Sequence, residues 1–330
     1  MTDGQPDLEN RFLGCLIGCA VGDALGAPFE GYWDHQLPDR EGLLQEFREV
    51  EGYPRGQYTD DTQLTIATIK AIVRQKDAEP SAIAHAIARL WRRQEVVGPG
   101  GSCTFAAHAF LKSGDWTTCG EPIGQAGNGT AMRTAALGLF YLNDPDRLPA
   151  AVADVSRITH QDPRSIAGGV AIVKAAQLLA TLDTIDARPF CAAIAETTGT
   201  YNDSIAALIA ELPTRLQEDR ETALHAIAWA GSPRPEFSRP IITLYVVPTV
   251  LASLWAVLNH PTSWPDAVAD AILLGGDVDT LGAIVGALMG TRLGLESIPI
   301  HLTQSVLQSH AIQRLARQYY YLVTDVNPSM

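Results

Sequence analysis

Apolar residues recur along almost the whole chain at the three-to-four-residue spacing of one helix face. This spacing predicts helices over 8–25, 62–76, 80–95, 102–113, 130–141, 147–158, 164–182, 188–198, 203–211, 221–229, 243–259, 265–273, 280–293 and 303–323. Strict apolar–polar alternation is nearly absent. The best strand candidate, 241–247 (IITLYVV), runs straight into a helical pattern. Short helices joined by short loops point to an all-α fold, a single-domain helical globule over 1–330 with 1–8 as a loose N-terminal tail. No Pro-, Gly- or Ser-rich linker divides the chain, and no repeat of roughly 20–50 residues is evident.

Two of these helices carry a second pattern. Gly14, Gly18, Gly22 and Gly26 recur every four residues, and so do Gly282, Gly286, Gly290 and Gly294. A helical glycine costs about 1 kcal/mol relative to alanine. A repeated stripe therefore predicts that two central helices pack backbone against backbone, which would fix where their ends lie.

Composition narrows the class. The chain is 46% hydrophobic and 18% charged, enough apolar material for a core, which excludes a disordered chain. A net charge of -13 argues against nucleic acid as a partner. The one dense basic cluster, Arg89, Arg92 and Arg93, reads as a solvated helix face. Five scattered cysteines include no CxxC pair, and Cys15 and Cys19 share a helix face as packed thiols. This usage suits a reducing compartment, hence a cytoplasmic location. The polar N-terminus shows no basic segment leading into an apolar run. The uncharged stretch 241–259 approaches the roughly 20 residues needed to span a bilayer. Its Pro248, Thr243, Thr249, Ser253 and Asn259, without a basic flank, favour a buried helix of a soluble protein and no membrane contact.

Candidate chemistry sits at two helix starts. Tyr58-Thr59-Asp60-Asp61-Thr62-Gln63 precedes one apolar helical run, and Gly275-Gly276-Asp277-Val278-Asp279-Thr280 precedes another. One carboxylate or hydroxyl suffices to cap a helix. Here each start has two carboxylates and at least one hydroxyl. Four carboxylates beside an apolar core repel one another unless cations compensate, and two divalent ions would balance four charges. All-oxygen ligands favour Mg²⁺ or Mn²⁺ over zinc. The competing readings are two simple caps, or a DxDT phosphatase nucleophile at Asp277; the helical pattern and the Gly-Gly before Asp277 weigh against the latter.

Gly127-Asn128-Gly129-Thr130-Ala131-Met132-Arg133 and Gly98-Pro99-Gly100-Gly101-Ser102 each lead into a helix. Glycines ahead of a helix let backbone N–H groups approach an anion. Neither loop is a Walker A or dinucleotide fingerprint. Each alone reads as a tight turn with a cap before it reads as a phosphate site; together, beside a metal cluster, they suit a diphosphate. The acidic surface is no obstacle to such a ligand, since the site is expected to carry local positive charge. His160, in a loop before a helix, is either a structural histidine or a ligand contact. His85, His108 and His225 fall in helical patterns and read as structural. No GxSxG or Cys/His signature marks a nucleophile.

Taken in order, Gly14 to Gly26 (GCLIGCAVGDALG) with Glu30, Thr59-Asp60-Asp61-Thr62, Gly127 to Arg133, Thr159-His160 and Gly276-Asp277-Val278-Asp279-Thr280 resemble the ADP-ribosylglycohydrolases. That family includes dinitrogen-reductase-activating glycohydrolases and ADP-ribosyl-arginine and ADP-ribosyl-serine hydrolases. The motifs span residues 14 to about 294 in the family's order. The resemblance implies a compact all-α fold with a binuclear cleft holding two divalent ions, Mg²⁺ or Mn²⁺. It implies Thr59, Asp60, Asp61, Asp277, Asp279 and Thr280 as metal ligands, and Glu30 with Asp60 and Asp61 as the catalytic set. It implies Gly98, Gly100, Gly101, Ser102, Gly127, Asn128, Gly129, His160 and Tyr245 as substrate contacts.

The implied activity is metal-dependent cleavage of the N- or O-glycosidic bond between ADP-ribose and a modified side chain, arginine favoured, by a monomer acting on an ADP-ribosylated protein. The competing functions are a catalytically inactive ADP-ribose-binding protein on the same scaffold, and another metal-dependent phosphate-ester or nucleotide hydrolase. One departure stands out. Some members carry a carboxylate in the loop corresponding to Gly98–Ser102, whereas this chain has no acid between Glu95 and Asp115. Glu30 or a metal-bound water would then serve as acid and base.

Overall fold

The computed structural model describes residues 6–51, 53–231 and 240–325. Its first half contains α1 (Leu8–Gly26), α2 (Arg40–Gln45), α3 (Asp60–Gln75), α4 (Pro80–Arg92), α5 (Gly101–Ser113), α6 (Ala131–Thr134), α7 (Leu137–Phe140) and α8 (Leu148–Arg157). There follow α9 (Pro163–Thr181), α10 (Ala187–Gly199), α11 (Asp203–Arg215), α12 (Arg220–Ala228), α13 (Val246–Asn259), α14 (Trp264–Ile272), α15 (Val278–Leu293), α16 (Ile300–Ser305) and α17 (Ser309–Thr324). Among the described residues there are isolated β-bridges but no strand. The fold is all-α.

The two glycine stripes meet at the centre. A methyl group on Gly14, Gly18 or Gly22 would fall 2.2, 2.1 and 1.9 Å from the carbonyl oxygens of Gly290, Gly286 and Gly282, respectively. At the end of the seam, one on Gly26 would fall 2.4 Å from the Val278 oxygen. α1 and α15 are therefore antiparallel and in backbone contact, and the C-terminus of α1 ends beside the N-terminus of α15. Fully buried Trp264 of α14 closes one side of the seam by donating its indole N–H to the Gly286 carbonyl at 3.0 Å. Arg11 secures the far end. Its guanidinium donates to the carbonyls of Thr291 and Arg292, which the end of α15 leaves free, and to that of Leu179 in α9.

α1 is also the helix long and apolar enough to cross a membrane by length and composition; 94% of that window is buried inside the fold. It is a core helix, wrapped by α3, α15 and α17. The other stretch of interest, 241–259, is a helix only from Val246, all but its last residue buried.

Local departures from the periodic pattern have tertiary causes. The run 130–141 divides into α6 and α7 around a tight turn in which Gly138 and Leu139 donate to Ala135 and Ala136. There Gly138 lies so close to α9 that a methyl group would be 2.6 Å from the Val173 oxygen. The run 303–323 breaks at 306–308, where Leu307 turns outward to donate to the Gly56 carbonyl and Gln308 takes a left-handed conformation. Residues 242–245 stay extended because their backbone groups pair with other loops. Of the expected loose tail 1–8, residues 1–5 lie outside the described residues. Leu8 already belongs to α1, and Asp7 caps it by accepting from the Asn10 N–H at 2.7 Å.

Candidate active site

Where α1 ends and α15 begins, three loops are tied together by main-chain hydrogen bonds. Gly31 donates to the Gly276 carbonyl and Gly276 to that of Tyr32, so the segment carrying Glu30 is strapped to the start of α15. On its other side, Asp277 donates to Ile242 and Ile242 to Gly275. The same extended segment then receives a bond from Asn128 at Leu244, and Val246 donates to Ala126. The Glu30 loop, the Asp277 loop and the glycine loop at 127–129 thus form one continuous rim. Gly276 sits at its crossing, with φ +94° and no room for a side chain: a methyl group would lie 1.9 Å from the Ile242 oxygen.

This rim and the N-termini of α3 and α5 form the walls of an open cleft. Glu30, Asp60, Asp61, Asp277, Asp279 and Thr280 line it, together with Gly98, Gly100, Gly101, Ser102, Gly127, Asn128, Gly129 and His160. Carboxylate oxygens of Glu30, Asp277 and Asp279 come within 4.8 Å of one another. Asp60 and Asp61 enter from the α3 end. Thr59 and Tyr245, expected with this group, are not among the lining residues. The Thr59 hydroxyl lies beneath the acids, 2.9 Å from Asp23 Oδ1 and 3.1 Å from Asp61 Oδ2. Tyr245 turns its hydroxyl to the Gly231 carbonyl and its ring to Arg164, and it is Leu244 that faces the cleft.

The glycine loops support the acids directly. The Gly100 N–H donates to Asp60 Oδ2 at 3.2 Å, and Gln63 holds that loop through the Glu95 carbonyl and the Val97 N–H. Asn128 is buried and donates its amide to Asp277 and to Thr249. His160 lies under the second loop: methyl groups on Gly127 and Gly129 would be 2.9 and 2.8 Å from its ring atoms. Its Nδ1 pairs with the Thr159 hydroxyl at 2.9 Å. Burial, followed by the nearby Arg133, pushes the imidazole down to about 3, so it is neutral at ordinary pH.

The electrostatics are lopsided. Five carboxylates line the cleft, and no lysine or arginine is among the lining residues. Arg133 lies behind the glycine loop, buried, with its guanidinium on the Gly129 and Val155 carbonyls. The local positive charge expected for an anionic ligand is therefore not supplied by side chains lining the cleft. Burial raises Asp60 to about 7, with further raising by Asp23, Asp277 and Glu30. Asp61 and Asp279 are raised well above the carboxylate range, first by burial and then by neighbouring acids. Glu30 is raised as well, by desolvation and then by Asp277. Asp61 Oδ1 and Asp279 Oδ1 are buried without a hydrogen-bond partner, a costly state for a carboxylate oxygen.

The sequence reading did not single out the acid beneath this cluster. Asp23 of α1 is fully buried and accepts four hydrogen bonds from Thr59 and Thr62. An aspartate within an apolar, glycine-striped helix was the available signal.

No nucleophilic side chain is activated here. His160 bonds Thr159 rather than Ser102 or Cys103, and burial pushes the Cys103 thiol up to about 12. Paired acids without an activated hydroxyl or thiol suit hydrolysis by water. Comparison with known proteins gives the kind. The family model for ADP-ribosylglycohydrolase matches residues 4–328. The chain is similar to the ADP-ribosyl-[dinitrogen reductase] glycohydrolase of Rhodospirillum rubrum, 27% identical over 89% of each protein. It is also similar to the ADP-ribosylarginine hydrolase Tri1 of Pseudomonas putida, 27% identical over 94% of this chain and 78% of that one. Among solved structures, one titled ADP-ribosylglycohydrolase-related protein complex superposes with a TM-score of 0.72 at 25% identity, covering 96% of this chain and 98% of the other. The chain belongs to the ADP-ribosylglycohydrolase family and is a glycosidic-bond hydrolase.

Proposed function

We propose that this enzyme is a divalent-metal-dependent hydrolase that releases ADP-ribose from modified arginine side chains of proteins. The observation that carries the metal is the pair of buried, unpartnered oxygens, Asp61 Oδ1 and Asp279 Oδ1, in a cleft of five acids with no lining cation. An all-oxygen donor set with excess negative charge fits Mg²⁺ or Mn²⁺. Asp60 and Asp61 with Thr59 at one helix end, and Asp277, Asp279 and Thr280 at the other, would hold two ions, with Glu30 beside them. Bound there, the ions supply Lewis acidity to the ribose hydroxyls and to the attacking water, and the positive charge an anionic substrate requires.

The protein's own groups do the rest. The N–H groups that open α5, at Gly101 and Ser102, and those of Gly127 and Gly129 offer donors to a diphosphate; that of Asn128 is taken by Leu244. Asn128 holds the Asp277 carboxylate in place. Glu30, at the mouth of the cleft, accepts a proton from water and returns one to the leaving nitrogen, a role for which its raised pKa suits it. The bond from the anomeric carbon to nitrogen breaks as that from carbon to water oxygen forms. The absence of any acid between Glu95 and Asp115 leaves Glu30 as the side chain for this task. Arginine as the acceptor rests on similarity to the Pseudomonas putida ADP-ribosylarginine hydrolase.

The test is release of ADP-ribose from arginine-linked and from serine-linked protein, each with Mg²⁺, Mn²⁺ or EDTA. Metal-dependent release from the arginine-linked protein is expected. Release only from the serine-linked protein would overturn the acceptor, and full release in EDTA would overturn the metal.

A further inference from the structure

We infer that Asp23 is the positioning residue of this centre: a carboxylate from α1 that caps α3 across the helix interface and so aims Asp60 and Asp61 into the cleft. The inference rests on the metal-centre reading and assigns a role to a residue outside the proposed ligand set.

A helix is ordinarily capped by the residue just before it. Here that residue is Thr59, and its side chain makes no capping bond to α3. The cap comes from another helix. Asp23 Oδ1 accepts the Thr59 N–H and hydroxyl, both at 2.9 Å, and Oδ2 accepts the Thr62 N–H at 3.0 Å and hydroxyl at 2.6 Å. One carboxylate thus holds both edges of the first turn of α3, and Asp60 and Asp61 are the two residues between its attachment points.

Asp23 also lies between Gly22 and Gly26, the last two glycines of the seam with α15. The glycine contacts set α1 against the turn that carries Asp277 and Asp279. The Asp23 bonds set the same stretch of α1 against the turn that carries Asp60 and Asp61. α1 is therefore the common reference for both acid pairs, and Asp23 supplies its short polar links on the α3 side, where Cys19 adds only long sulfur contacts to the Thr62 and Thr65 hydroxyls at 3.8 and 3.9 Å.

Two consequences bear on a cation. The Thr59 hydroxyl has one proton, directed to Asp23 or Asp61, so its oxygen lone pairs are not consumed by those bonds. Asp23 also adds negative charge beneath the centre without occupying a coordination position. Residues placed this way typically change metal affinity about 10–100-fold when altered.

The experiment is calorimetric titration of Mn²⁺ into the metal-free enzyme, for the unaltered protein, Asp23→Asn and Thr62→Val, with circular dichroism and urea unfolding of each metal-free protein. An asparagine would turn an N–H toward the Thr62 N–H. Asp23→Asn is expected to keep native helicity, to lower the urea midpoint modestly because the Thr62 N–H loses its acceptor, and to bind Mn²⁺ roughly 10–100-fold more weakly, a loss larger than that destabilisation. Thr62→Val, which removes one of the four bonds and keeps the charge, is expected to show a smaller loss. Unchanged Mn²⁺ affinity in Asp23→Asn overturns the inference, and so does a loss matched by equal destabilisation of the metal-free protein, which would make Asp23 general packing. If Asp23→Asn does not fold, unchanged affinity in Thr62→Val overturns it. Absence of Mn²⁺ binding by the unaltered enzyme removes the metal centre itself, an outcome distinct from a failure of Asp23 alone.

Discussion

Gly22 and Gly282 face each other across the α1–α15 seam with each Cα against the other's carbonyl, so that a methyl on Gly22 would fall 1.9 Å from the Gly282 oxygen and one on Gly282 2.2 Å from that of Gly22. Neither backbone can yield without moving a helix, and both helices end at the acid cluster. Gly282→Ala, which in an exposed helix would stabilise by about 1 kcal/mol, is expected here to destabilise by about 3 kcal/mol. It should also lower activity, because the Asp277 end of α15 moves with it. Urea unfolding checks the first expectation and ADP-ribose release the second.

Two other glycines separate packing from ligand space. A methyl on Gly129 would meet His160 at 2.8 Å and the Cys103 sulfur at 3.0 Å, whereas nothing lies within 4 Å of one on Gly101. Gly129→Ala is expected to destabilise by roughly 1–3 kcal/mol. Gly101→Val should leave the melting temperature unchanged and weaken ADP-ribose binding, because its side chain takes space in the cleft. Thermal melts and titration of ADP-ribose distinguish the two.

Glu30→Gln keeps the size of the side chain and removes its proton transfer. Turnover is expected to fall by about 100-fold or more, with ADP-ribose affinity nearly unchanged. Equal loss of turnover and affinity would instead make Glu30 a binding group.

The glycine seam and the two acidic helix starts were legible because each repeats locally: a period of four, or two acids beside a hydroxyl before an apolar run. What was not legible depends on distant partners. Nothing local to 303–323 announces that Leu307 will bond Gly56, or that residues 242–245 will stay extended to join the Glu30 and Asn128 loops. Asp23 was visible as a letter in GDALG, but its four bonds to Thr59 and Thr62 require α1 and α3 to be placed first. Tyr245 shows the converse. Its position along the chain is right for the site, while its side chain turns toward Arg164 and away from the cleft.

The raised acids give the metal-free enzyme a pH dependence of definite sign. The folded pKa of Asp60, about 7, lies above the ordinary carboxylate value of 3.8, so the folded state holds that proton more tightly than the unfolded chain. Its contribution to stability is complete below about pH 4 and is lost as pH rises through about 7. Asp61 and Asp279, also raised, contribute in the same direction. His160, lowered to about 3, contributes the opposite slope, but only between about 3 and its ordinary 6.5. In EDTA the melting temperature should therefore fall from pH 6.5 to pH 8, and saturating Mg²⁺ or Mn²⁺ should remove that fall. A flat profile in EDTA would contradict the electrostatic account.

In the proposed mechanism the acids at the facing ends of α3 and α15 carry the reaction. Its most direct test is ADP-ribose release by Asp60→Ala in saturating Mn²⁺, beside the unaltered enzyme, with helicity recorded for both. Asp60→Ala is expected to fold and to give no detectable release. Full turnover by Asp60→Ala would contradict it.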